Sequence, residues 1–250
     1  MSVMMQEMTW QEFNDRKENS VVILPVGSTE QHGPMLPLSV DAILSTGLAR
    51  MIAEEIDGIV APAINYGYKS APLSGGGPLF PGTIDLNGVT LINLVSDVLE
   101  ELIFDGVKKL FVLNGHYENE AFIIEAIDLL SRKYPEVTFI ESSWWDQISD
   151  EVMDKVFDEV EFPGWALEHA AIAETSMTQH FRPDLVHMDR FVEDGVDEEL
   201  GYVIYPASKC KVPETGLLAT ARTSSPKKGK WLCENIRDNY VKILGDRMKE

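Results

Sequence analysis

A carboxylate and an imidazole two residues apart occur twice in this chain, and they are its best candidates for chemistry. The first pair is Glu30 and His32 in Glu30-Gln31-His32-Gly33, which follows the apolar run Val21–Val26, with Asp41 a few residues later. The second is His116 and Glu118, between Asn114 and Asn119, after the apolar run Lys109–Leu113. On extended chain, side chains two positions apart point to the same side. Two such pairs at the exits of expected strands describe a pocket for divalent metal, and with it a hydrolase.

The chain has five histidines. His169 stands in Glu168-His169, shortly before Glu174-Thr175-Ser176, whereas His180 and His187 lie in no comparable motif. Carboxylate oxygen and imidazole nitrogen suit hard and borderline divalent ions, and no thiolate accompanies them. Glu30, Asp41, Glu118 and Glu174, with two imidazoles, would suit two divalent ions sharing a bridging carboxylate. Without metal those carboxylates would repel one another and some would have to protonate. Asp41, ahead of Ala42-Ile43-Leu44, also reads as a helix N-cap, and a carboxylate has lone pairs enough for both roles. On an ideal helix His169 and Glu174 lie about 140° apart. Either the helix begins after His169, or the two side chains do different jobs; Glu174 then reads as a ligand and His169 as a proton carrier. The run Ser74-Gly75-Gly76-Gly77 lacks the spacing and the lysine of a phosphate loop and reads as a flexible substrate loop. Trp144, Trp145 and Trp165, with polar neighbours and Gly164, form a candidate pocket wall.

The elements that must position these groups alternate. Strands are expected at Val21–Val26, Gly58–Ile64, Lys109–Leu113 and Glu136–Glu141, and helices at Asp41–Ile56, Gly88–Phe104, Glu118–Tyr134, Glu168–Phe181 and Lys230–Met248. That alternation predicts an α/β fold with a mainly parallel sheet covered on both faces. Ligands in such sheets bind beyond the carboxyl ends of the strands, where both motifs fall. Residues 65–87 form a long Gly/Pro/Ser-rich loop whose Tyr66, Tyr68 and Phe80 argue against disorder. No composition break marks a linker, so residues 1–250 read as a single domain. A formal charge of −20 over 250 residues, 44% of them hydrophobic, suits a large core and repels nucleic acid and anionic membrane. The two cysteines, Cys210 and Cys233, form no disulfide framework. Residues 1–12 have no signal-peptide character, and no apolar run reaches the roughly 18 residues of a membrane span. A cytoplasmic protein is expected.

The motifs resemble those of the creatininase (creatinine amidohydrolase) family, in order from about residue 8 to residue 180. The resemblance is carried by Glu30-Gln31-His32-Gly33 with Asp41, Tyr66-Gly67-Tyr68-Lys69-Ser70, Ser74–Gly77, Phe80-Pro81-Gly82-Thr83, Asn114–Asn119, and Glu168-His169 with Glu174-Thr175-Ser176. It implies an α/β/α layered sandwich and two divalent ions per chain, zinc and/or manganese. By that resemblance Glu30, Asp41 and His116 hold one ion, with Glu118 at or beside it, and His32, Asp41 and Glu174 hold the other. Glu118 and His169 are linked with proton transfer, and Ser74, Tyr117, Trp145 and Trp165 with substrate binding. A homohexamer is implied as well. The chain departs from the family at Ala166, where creatininase has Asp after the tryptophan, and at Pro34-Met35, where a further histidine is missing. Both departures leave the ligand positions intact, but Ala166 bears on the substrate. The expected reaction is hydrolysis of a C–N bond in a small cyclic amide, creatinine first. The alternatives are another lactam, a formamide or an N-glycosidic amine, or a non-catalytic ligand-binding member of the fold.

Overall fold

A computed structural model describes residues 1–71, 77–196, 202–209 and 212–248. Four parallel strands, β1 (Val22–Val26), β2 (Ile59–Val60), β3 (Lys109–Asn114) and β4 (Thr138–Ser143), form one sheet in the order β2-β1-β3-β4. Strand residues alternate between two separate cores. Ile23, Phe111 and Leu113 pack beneath α2 (Val40–Ile56), α6 (Ile172–Phe181) and α7 (Pro226–Arg247). Val22, Leu24, Val26, Leu110 and Val112 pack beneath α1 (Trp10–Arg16), α3 (Gly88–Phe104) and α4 (Glu120–Lys133). Both faces of β1 and β3 are therefore covered, which is why these strands read as unbroken apolar runs. The result is the expected α/β/α sandwich.

The chain leaves β1 through α2 towards β2, and leaves β3 through α4 towards β4, on the opposite face. Adjacent strands whose crossovers diverge open a crevice at their carboxyl ends. Both glutamate–histidine motifs emerge there.

Several elements differ from expectation for local reasons. The strand expected over Gly58–Ile64 pairs only at Ile59–Val60 and again as an isolated bridge at Ile64, because Pro62 has no N–H for the ladder. Pro25 is tolerated in the central strand because its carbonyl, and hence its nitrogen, faces the side β2 has just vacated: Ile64 N donates to Pro25 O across 3.0 Å. The helix containing Glu174 begins at Ile172, not Glu168. Glu168 Oε1 accepts the Ala173 N–H at 2.6 Å, Glu174 Oε2 accepts that of Ala170 at 2.6 Å, and Ala170 sits at φ 55°, outside any right-handed helix. α7 begins at Pro226, four residues earlier than expected, capped by Ser225. A short helix, α5 (Asp150–Val156), carries no periodic signal long enough to announce it. No helix among the described residues is long and apolar enough to cross a membrane.

Candidate metal centre

Two glycines bring the site together. Val26 is followed by Gly27 and Asn114 by Gly115, and the first turn of α2 lies against both. A Cβ on Gly27 would stand 2.5 Å from Ala42 N, and one on Gly115 would stand 2.5 Å from Asp41 O. The start of α2 thus wedges between the ends of β1 and β3. Ser39, not Asp41, is the N-cap residue; Asp41 is the second residue of the helix, and its side chain turns into the crevice. Asn114 closes the turn after β3, donating to His116 O and accepting from His116 N. Asn119 ties that turn to Tyr68 N and Gly27 O.

Glu30, His32, Asp41, His116, His169 and Glu174 converge there, all buried. Asp41 presents one oxygen to each side. Its Oδ1 lies 3.1 Å from His32 Nε2, which is also 3.6 Å from Glu174 Oε2. Its Oδ2 lies 3.1 Å from His116 Nδ1, which is 2.9 Å from Glu30 Oε1. Three ligand clusters result: Glu30–Asp41–His116, His32–Asp41–Glu174 and Glu30–His32–His169. Glu118 falls in none of them. Its Oε2 lies 3.3 Å from His116 Nε2, behind the nitrogen that faces Glu30 and Asp41, and its Oε1 accepts the Ala71 N–H.

The imidazoles share one arrangement. Each has one nitrogen on a backbone carbonyl: His32 Nδ1 on Glu30 O (3.2 Å), His116 Nε2 on Tyr68 O (3.0 Å) and His169 Nε2 on Gln31 O (2.8 Å). A carbonyl only accepts, so on His32 and His116 that nitrogen carries the proton; His169 Nε2 faces a donor as well, the Gln31 side-chain amide nitrogen at 3.0 Å. In the neutral form of His32 and His116 the other nitrogen is a lone pair aimed at carboxylates, an arrangement that calls for a cation between them. Glu30 Oε2, His32 Nε2 and Asp41 Oδ2 are buried without a directed hydrogen bond, although His32 Nε2 lies 3.1 Å from Asp41 Oδ1 and Asp41 Oδ2 3.1 Å from His116 Nδ1. These donors therefore fit a divalent ion.

Without metal the same groups balance one another through protons. Burial works against charge on Glu30, but His116, His169 and His32 outweigh it and hold its carboxyl well below the usual range. Burial likewise opposes charge on His32 and His116. Asp41 and Glu174 raise the first well above the ordinary imidazole value, and Glu30 and Glu118 raise the second. His169 is lowered, by burial and by His32, whose ring centroid is 4.4 Å away.

The cleft is walled by Tyr117, Trp144, Trp145, Trp165, Ala166 and Glu168. Trp144 meets both Trp145 and Trp165 edge to face, at 5.3 and 5.6 Å. Ser74 and Cys210 lie outside the described residues. Two residues escaped the sequence analysis. Gln31 seats His169 through its carbonyl, and its amide donates to Gly216 O. Glu168 is buried and pushed well above the carboxylate range by burial and by Glu174. Its only sequence signal was adjacency to His169.

A doubly wound sheet with a buried carboxylate–imidazole centre at its switch point defines a metal-binding enzyme of α/β type. The chain belongs to the creatininase family of hydrolases: the family model "Creatinine amidohydrolase" matches residues 6–244. It is 38% identical over 256 residues to a creatinine amidohydrolase of Pseudomonas putida, covering 100% of this chain and 97% of that one. It is 27% identical to a 3-dehydro-scyllo-inosose hydrolase of Thermotoga maritima (99% and 84% covered) and 28% identical to a mycofactocin precursor peptide peptidase of Mycolicibacterium smegmatis (92% and 84%). Among solved structures, a manganese form of creatininase superposes with a TM-score of 0.94 at 36% identity, over 100% of both chains. A Zn-Zn form of a creatininase mutant gives the same TM-score, at 35% identity over 100% of both chains.

Proposed function

We propose that this protein is a binuclear metal-dependent amidohydrolase that opens a C–N bond in a small cyclic amide, with creatinine, giving creatine, as the first substrate. The observation that carries this reading is Asp41, which offers one oxygen to each of two imidazole–carboxylate clusters. Glu30, Asp41 and His116 hold one ion, with Glu118 beside it, and His32, Asp41 and Glu174 hold the other; zinc and manganese both suit this donor set. Bound there, such ions supply Lewis acidity to a carbonyl oxygen and bring the pKa of a water towards neutrality. His169, with Nε2 on the Gln31 carbonyl and side-chain amide and Nδ1 4.0 Å from Glu30 Oε1, is one proton-carrying group. Glu118, on His116 Nε2, is the second proton-carrying group. Tyr117, Trp145 and Trp165, with Ser74, bind the substrate and exclude bulk water. The whole chain acts as one domain in the cytoplasm. It assembles as a homo-oligomer, a hexamer by family resemblance, to which the exposed Tyr202, Val203 and Tyr205 are suited.

Two experiments test this reading. Metal analysis of the purified protein is expected to give two ions per chain, and fewer than about one returns the protein to the non-catalytic class. Creatinine ring opening, assayed with and without added manganese, is expected to require Glu30 and His116. Turnover that survives Glu30→Gln or His116→Ala at saturating metal overturns the site assignment. A second substrate reading is favoured by Ala166 in the cleft wall and by relatives named for an inosose derivative and a peptide. In it the same centre cleaves another lactam or amide, and a substrate panel on the metal-loaded protein separates the two.

A further inference from the structure

Beside the metal cleft lies a second compartment, a solvent-open cavity of about 470 Å³. The two share a partition, since Trp145 and Trp165 line both. One wall is a face of α5 and its C-cap: Asp150, Met153 and Asp154 follow the i, i+3, i+4 spacing that puts side chains on one side of a helix, and Phe157 follows at the C-cap. The facing wall is aromatic. Phe162 packs against Phe157 at 4.9 Å and against Trp165 at 4.8 Å between ring centroids. Aromatic faces with carboxylates at the rim are the chemistry that recognises an organic cation: the rings offer negative quadrupole faces and the carboxylates balance the charge. Both aspartates are exposed, and among the described residues neither is in an ion pair. Lys155, next to Asp154 in sequence, is engaged with Glu151, and Lys228 with Asp158 and Glu159. A purely structural role accounts for only part of this. Asp150, in the first turn of α5, suits the helix dipole, but Asp154, a turn later, does not.

We propose that this compartment is a binding site for a small organic cation of the quaternary-ammonium type, its head against Trp145, Trp165 and Phe162 and its charge matched by Asp150 and Asp154. The site stands on the cavity and its lining and does not depend on which amide is hydrolysed next door. Because the indoles are shared, occupancy of the compartment stiffens a wall of the metal cleft and is reported by tryptophan fluorescence.

The test uses metal-loaded protein, and the Asp150 and Phe162 variants below distinguish binding in the compartment from binding in the cleft. Choline is compared with its neutral isostere, 3,3-dimethylbutan-1-ol, by fluorescence and calorimetric titration. Saturable binding of choline is expected, tighter than that of the isostere by about two- to fivefold, the scale of a solvent-exposed cation–π contact. The double variant Asp150→Asn/Asp154→Asn is expected to lose most of that preference. Phe162→Leu, which keeps an apolar side chain and removes the π face, is expected to weaken choline and leave the isostere unchanged. Equal affinity for the two probes, choline binding unaltered in the double variant, or no saturable binding overturns the proposal. Protein that binds choline yet fails to open creatinine would count against the amidohydrolase reading alone, and the converse result against this site alone.

Discussion

Glu118 and His116 are two residues apart in sequence and do different work in space. His116 turns Nδ1 to Glu30 and Asp41, while Glu118 sits on its Nε2. On the proposed reading, removing the first would take away a ligand, and altering the second would alter what orients the ligand and what moves protons. His116→Ala is therefore expected to lose bound metal. Glu118→Gln is expected to keep its metal content while turnover falls by about 10²–10⁴-fold, the usual worth of a positioned acid–base group. Metal analysis beside the kinetics separates the cases, and loss of metal in Glu118→Gln would make it a ligand after all. At this scale the sequence was highly legible: Glu30, His32, Asp41, His116, His169 and Glu174, far apart along the chain, do meet. The backbone carbonyls that set the imidazole tautomers, at Glu30, Gln31 and Tyr68, were not, because every residue has a carbonyl and only the fold says which one a ring will find.

Elements decide how well those residues are held. Helix α2 reaches Asp41 into the crevice only because Gly27 and Gly115 let it approach closely. Gly27→Ala or Gly115→Ala would force the first turn of α2 away. Each is expected to cost about 1–3 kcal/mol of stability, as overpacking does, and to weaken metal binding, measured by denaturant midpoint and metal titration. Metal affinity equal to wild type in both would detach α2's close approach from the site. Strand β4 supplies a separate test. Burial, then Glu120 and Asp146, push Glu141 up to about 8 from its ordinary 4.5. The folded state therefore holds a proton that the unfolded chain releases above about pH 4.5, so this residue lowers stability as pH rises from there through 8. Glu141→Gln, which cannot ionise, is expected to raise Tm at pH 9 and to change it little at pH 4; a gain of the same size at both would remove ionisation as the cause. Long apolar runs such as those of β1, β3 and α3 could be read from pattern alone. The start of α6 could not, because the signal that ends the loop is two carboxylates folding back on backbone N–H groups, and a helical pattern drawn through Glu168 looks the same without them.

At the scale of the whole molecule, parallel order and layering followed from the alternation of strands and helices, whereas the described residues between 187 and 225 carry only short turns, and this stretch offered no period to read. The chain carries a formal charge of −20 and gathers buried carboxylates at its switch point. In metal-free protein that accumulation is offset by protons on His32 and His116, both held well above their ordinary value by neighbouring carboxylates. A divalent ion needs those nitrogens as lone pairs, so it must displace the protons. Apparent metal affinity should then rise with pH across the neutral range, by up to a factor of about one hundred per pH unit where both protons leave. Calorimetric titration in buffers of different ionisation enthalpy at pH 6, 7 and 8 counts them directly. Because the ion binds the folded state, chelation should lower Tm, with a stability loss of about 2.7 kcal/mol for protein initially held at one hundred times the dissociation constant. Readdition of zinc or manganese should restore it in wild type and fail to do so in His116→Ala. Affinity flat from pH 6 to 8 with no proton released would mean that the imidazoles are already neutral, and that something other than protons holds these carboxylates together.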